Sequence, residues 1–321
     1  MQGKSLLWRS IEKKNRLGST MKDIRLADIK QFENLELLAK QLVEGFITGL
    51  HKSPYHGFSV EFAEHKLYNF GESTRHVDWK VYARTDRLYT KQYEEETNLR
   101  AQILLDVSNS MHYPKPGNDK LQFSVVCAAA IAYLLSSQRD AVGLTTFSDK
   151  IIHQSALKTT KSHLSQLIAH LNDQLNKEGD SATDVAAVLH QIAQKIHRRS
   201  LVIIFSDMFQ KSNDLDEIFK ALQHLKHNKH EILIFHVTDH ATELEFDFDD
   251  RPHRFIDLES NEVVKLNPRD IKDAYKEKMS QLYHDLKIKC GTYKIDMIEA
   301  NTADTFDKIL GAYLIKRKRM R

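Results

Sequence analysis

The sequence predicts an α/β fold: a doubly wound, mainly parallel sheet over residues 99–317, preceded by a smaller N-terminal α+β module. Three observations predict it. Short apolar runs at 103–105, 141–147, 201–205 and 231–237 alternate with segments of helical periodicity, the pattern of strands covered on both faces. The helix expected over about residues 119–138 carries Leu121, Val125, Val126, Ala129, Ile131 and Leu135 on nearly every side, so it is buried. Two strands end at an acid, Asp106 and, after Ser206, Asp207. Open α/β sheets bind ligands beyond that edge.

Composition narrows the function classes. The chain has 321 residues and a formal net charge of +3, so its charge balance implies no strong attraction to nucleic acid. No stretch approaches the roughly 18–20 consecutive apolar residues of a membrane-spanning helix, and the N-terminus lacks the apolar core of a signal peptide. Cys127 and Cys290 are far apart and read as reduced packing residues. These features together lead us to expect a cytoplasmic protein. Among 17 histidines there is no HExxH pair and no Cys/His cluster, and His224, His227 and His230 read as solvated at a helix end.

Along the chain, residues 1–20 are polar, basic and aperiodic and are expected to form a disordered arm. Met21 opens the patterned module of residues 21–98. Leu35, Leu38, Leu42 and Phe46 recur at helical spacing and predict a helix over about 28–47. Phe58, Val60 and Phe62 alternate as in a half-buried strand, and residues 87–96 read as a second extended segment. Between them, Arg75 with Asp78, and Arg84 with Glu94, Glu95 or Glu96, are read as a structural ion-pair clasp. From residue 99 strands and helices alternate. Asp119 is placed to cap the 119–138 helix, with Gln122 as its capping-box partner. Strand 150–153 follows, then helices around Leu164–Leu171 and Val185–Ile196. A helix over 215–228, a short strand at 254–257, a helix opened by Pro268, a strand at 293–298 and a last helix complete the domain. Residues 318–321 form a basic tail.

The candidate site begins at Asp106. Ser108 and Ser110 follow at every second position, in the pattern D-x-S-x-S. Thr183 lies in the GDSATD loop before the Val185 helix, and Asp207 ends a later strand. Each piece alone is an ordinary turn former or helix cap. Together they offer hard oxygen donors on one rim, which suit Mg²⁺, or Mn²⁺.

These residues resemble the metal-ion-dependent adhesion site of von Willebrand factor type A domains. The resemblance implies that Ser108, Ser110 and Thr183 bind the cation directly, and that Asp106 and Asp207 bind it directly or through water. Upstream, Gly71, Arg75, Asp78, Trp79, Ala83 and Arg84 are similar to the G-x-x-x-R-x-x-D-W-x-x-x-A-R signature of the domain-of-unknown-function-58 family. That family implies no established enzymatic activity. It implies a role as adaptor or partner of a MoxR-type AAA+ ATPase, so the sequence leads us to expect a metal-dependent protein-binding module. The rival expectation is a metal-assisted phosphatase or hydrolase. Against it, Ser108 stands where aspartyl phosphatases carry a second Asp, and neither a G-x-S-x-G elbow nor a P-loop is present.

Overall fold

The computed structural model describes residues 34–51, 65–67, 79–91, 99–115, 119–177, 185–207, 215–257 and 262–320. They belong to two units. The described parts of Met1–Phe46 and Leu99–Arg321 form one, and those of Ile47–Asn98 form the other. Helix α1, Leu35–His51, starts where Asn34 Oδ1 accepts the Glu36 and Leu37 amides at 2.8 and 3.2 Å. Leu38, Ala39, Leu42 and Val43 form its buried stripe. Sequence patterning placed this helix in the N-terminal module, whereas its Leu35–Phe46 portion falls in the larger unit.

In the smaller unit, β1 (His65–Leu67) pairs antiparallel with β2 (Tyr89–Lys91), and α2 (Trp79–Thr85) lies between them in sequence. Trp79 is 61% exposed and meets Tyr82 edge-on, ring centroids 6.2 Å apart. The expected strand at Phe58–Phe62, and Gly71, Arg75, Asp78 and Glu94–Glu96 of the expected clasp and signature, lie outside the described residues.

The larger unit runs β3 (Arg100–Asp106), α3 (Lys120–Ser137), β4 (Ala141–Phe147), β5 (Ile151–Gln154), α4 (Lys161–Gln174), α5 (Val185–Lys195), β6 (Leu201–Ser206), α6 (Leu215–His227), β7 (Glu231–Thr238), β8 (His253–Ile256), β9 (Val263–Leu266), α7 (Pro268–Thr292), β10 (Asp296–Asn301) and α8 (Phe306–Met320). One six-stranded sheet has the order β10-β7-β6-β3-β4-β5. Every neighbouring pair is parallel except β4 with β5. This is the doubly wound, mainly parallel α/β sheet the sequence predicts. Side chains alternate between faces along each strand. Leu104, Val202, Ile204, Ile232 and Ile234 share a core with α5, α6 and α7. Residues of the opposite parity, such as Ile103, Phe205 and Phe235, are equally buried and face α3 and α8. There Phe123 stacks on Phe306 at 5.3 Å, and Phe205 on Phe235 at 4.8 Å.

Helix α3 is the central element. Asp119 caps it by accepting the Gln122 amide at 2.7 Å. By length and composition α3 would be apolar enough to cross a membrane, but 78% of it is buried inside the protein, as in a core helix. Lys120–Ser137 thus has the length and apolar content of a span that no stretch was expected to approach. Burial also holds both thiols inert: it raises the Cys127 pKa and pushes Cys290 to about 12. His230 departs from the solvated reading. It is buried, and its Nδ1 accepts the Ser200 amide at 3.2 Å, tying the start of β6 to that of β7.

One glycine is required by close approach. A Cβ on Gly143 would lie 2.4 Å from Gln102 Oε1, whose amide nitrogen donates to Thr145 Oγ1 at 2.9 Å inside the sheet. Gly143→Ala is expected to cost about 1–3 kcal/mol through displacement of this buried pair, read as a lower urea midpoint with an unchanged m-value.

Candidate metal centre

Strands β3 and β6 are parallel neighbours with Leu105 beside Phe205. This register brings the ends of both strands to one rim, so Asp106 meets Ser206 and Asp207. Ser206 Oγ donates to Asp106 Oδ2 at 2.5 Å. The other Asp106 oxygen, Oδ1, accepts the Ser108 amide at 3.0 Å. The chain then enters a 3₁₀ turn, Asn109–His112, anchored by the fully buried Met111. That turn carries Ser110 back over the rim. Its Oγ lies 3.1 Å from Ser108 Oγ and donates to Asp207 Oδ1 at 3.1 Å. Four of the five residues expected from sequence, Asp106, Ser108, Ser110 and Asp207, are thus joined by hydrogen bonds. Thr183 lies outside the described residues.

Asp106, Ser108 and Asp207 are all buried. Burial first, and the charge of Asp207 second, push the Asp106 carboxyl up to about 6 from its ordinary 3.8. A cation at this rim would offset that repulsion.

A neighbouring cation is already built in. Lys120, the first residue of α3, is fully buried, and its Nζ donates to Asp207 Oδ2 and to Glu243 Oε1, both at 2.6 Å. Burial pulls its pKa down, but the two carboxylates outweigh that and raise it above the ordinary lysine value. Glu243 sits in a one-turn π-helix, His240–Leu244, and its Oε2 accepts the Asp239 amide at 2.8 Å. Its own carbonyl accepts the Tyr275 hydroxyl of α7 at 2.8 Å. Tyr275 belongs to an aromatic cluster with Phe246, which holds a left-handed backbone at φ 50°. Beneath the site, His236 Nδ1 lies 2.9 Å from the Tyr283 hydroxyl, and burial lowers its pKa to about 4.

Sequence reasoning missed Lys120 and Glu243. The signal for Lys120 was present: a lysine opening a helix that is otherwise apolar all round must be paired. Glu243 gave no signal, because it arrives from a loop 123 residues away in the chain.

The donor set suits a small hard cation by the kind of its atoms. Every candidate ligand atom is oxygen. Among the described residues no group of three or more His, Cys, Asp or Glu is placed to hold a metal. The fit therefore depends on serine hydroxyls completing a two-carboxylate set.

Comparison with known proteins gives the chain its family but no activity. The uncharacterized proteins Rv1480 of Mycobacterium tuberculosis and Mb1516 of Mycobacterium bovis are each 25% identical to it over 205 residues, 64% of this chain and 63% of theirs. The match thus spans less than two thirds of these relatives. Among solved structures, the conserved hypothetical protein BatB from Bacteroides thetaiotaomicron aligns at 11% identity and a TM-score of 0.39, over 69% of this chain and 97% of that one. An aerotolerance-related membrane protein from Bacteroides fragilis aligns at 12% identity and a TM-score of 0.41, over 68% and 99%. At such scores these likenesses carry no functional argument. The sequence profile of the family described as protein of unknown function DUF58 matches residues 64–284, well over half of the chain, and the protein belongs to that family.

Proposed function

We propose that this protein is a metal-dependent protein-binding module of the von Willebrand factor A-like type. Its rim would recognise an acidic group on a protein partner, which the family resemblance suggests is a MoxR-type AAA+ ATPase. The observation that carries this reading is the hydrogen-bonded set Asp106, Ser108, Ser110 and Asp207 at the carboxyl edge of the sheet. These residues, with Thr183, would hold Mg²⁺ or Mn²⁺. The ion would supply an open coordination position for a carboxylate oxygen. Asp207 would offer the ion its Oδ1, because Lys120 occupies Oδ2. A charged bond in a partly dry site is worth more than an exposed ion pair.

Binding is favoured over hydrolysis by what the hydroxyls do. Ser110 donates a hydrogen bond to Asp207, a carboxylate already holding the Lys120 ammonium, and Ser108 Oγ is engaged with Ser110 rather than with a histidine. A serine nucleophile needs a poised base. The test is capture of a AAA+ partner from native lysate with wild type and Asp106→Ala, each with Mg²⁺ or EDTA. Retention by wild type in Mg²⁺, with at least about tenfold less in the other three conditions, is expected for loss of a buried charge-assisted contact. Equal retention in all four would overturn the reading.

A further inference from the structure

Beside the Asp106–Ser110 turn, the rim opens into a cavity of about 320 Å³. Val107, Ile151 and Ile152 give it apolar walls, and His112, Lys150 and Lys177 give it basic ones. Val107 and His112, which flank the candidate ligands Ser108 and Ser110 in the chain, bring the cavity beside that turn. Among the described residues, no carboxylate lines it. Asp149 lies 3.8 Å from Lys150, but the two side chains are 40% and 67% exposed, and such a pair is worth little. Behind the wall, His153 and His170 stack at 3.9 Å, and Gln174 Nε2 lies 3.3 Å from His170 Nε2. Burial lowers the pKa of both histidines, and Ile152 is 42% exposed. An open apolar floor flanked by the Lys150 and Lys177 ammonium groups is complementary to a chain that carries apolar and acidic side chains together.

We propose that this cavity receives an acidic, leucine- or isoleucine-bearing segment of the protein partner. The apolar side chain would sit against Ile151 and Ile152, and flanking carboxylates would face Lys150 and Lys177. A carboxylate of the same segment would reach the Asp106–Asp207 rim, and in this respect the proposal rests on the metal reading above.

The probe is a fluorescein-labelled peptide, Gly-Glu-Leu-Glu-Leu-Glu-Gly, with its Glu→Gln counterpart as control. Anisotropy is read at low ionic strength in Mg²⁺ and in EDTA, for wild type, Lys150→Glu/Lys177→Glu and Asp106→Ala. Saturable binding of the acidic peptide, weakened roughly tenfold or more by the double charge reversal, supports the cavity. An unchanged thermal melt of that variant excludes misfolding as the cause. Binding that is lost in EDTA but indifferent to the charge reversal overturns the cavity and leaves the metal reading standing. Binding that responds to the charge reversal but ignores EDTA and Asp106→Ala upholds the cavity and overturns the metal reading. Equal binding of acidic and Gln peptides, or none of either, overturns the cavity proposal.

Discussion

Lys120→Met is expected to be the most damaging single substitution at the rim, lowering stability by about 3–5 kcal/mol, the usual cost of removing one partner from a buried ion pair. Methionine keeps the length and most of the volume of lysine, so packing loss contributes little. What remains is electrostatic. Asp207 and Glu243 both receive the ammonium at 2.6 Å, with only 5% and 15% of their side chains exposed. Without it, two carboxylates stay buried near Asp106. Equilibrium urea unfolding reads the loss. The triple variant Lys120→Met/Asp207→Asn/Glu243→Gln should recover most of it, since replacing a whole buried ionic group by neutral residues costs far less than orphaning one member. A loss below about 1 kcal/mol in Lys120→Met would show that water screens the triad.

Asp106→Asn is expected to act in the opposite direction when no divalent ion is present. The carboxyl sits at about 6 in the folded protein and at its ordinary 3.8 in the unfolded chain. A raised acid pKa means that the ionised form opposes folding. That penalty is complete above the folded value and absent below the unfolded one. Asparagine preserves the geometry: its oxygen can accept the Ser108 amide, and its amide nitrogen can donate to Ser206 Oγ. In EDTA at pH 7.5 the variant should gain on the order of 2 kcal/mol. The gain should shrink as pH falls through 6 and vanish below 3.8. Thermal melts of both proteins across that range provide the check. A variant less stable than wild type at pH 7.5 would mean that other interactions already offset the Asp106 charge.

Much of the fold was legible because the strands are continuous apolar runs and the helices carry caps. Asp119 with Gln122 and Pro268 at a first turn each marked a boundary that the structure keeps. The hairpin of β8 and β9 was only half legible. Val263 and Val264 are exposed, so β9 lacks the burial alternation that marks a strand, and antiparallel pairing alone defines it. At the rim, Asp106, Ser108, Ser110 and Asp207 could be read because strand-end acids and D-x-S-x-S are local patterns. The Lys120–Glu243 contact could not, because it depends on a loop held by Tyr275 and the left-handed Phe246. Long-range partners of this kind leave no period in the sequence.

The most direct measurement is calorimetric titration of Mg²⁺ and Mn²⁺ into metal-free wild type and Asp106→Ala. One saturable site in wild type, lost in the variant, is the predicted result. No binding to wild type, or equal binding to both proteins, would contradict it.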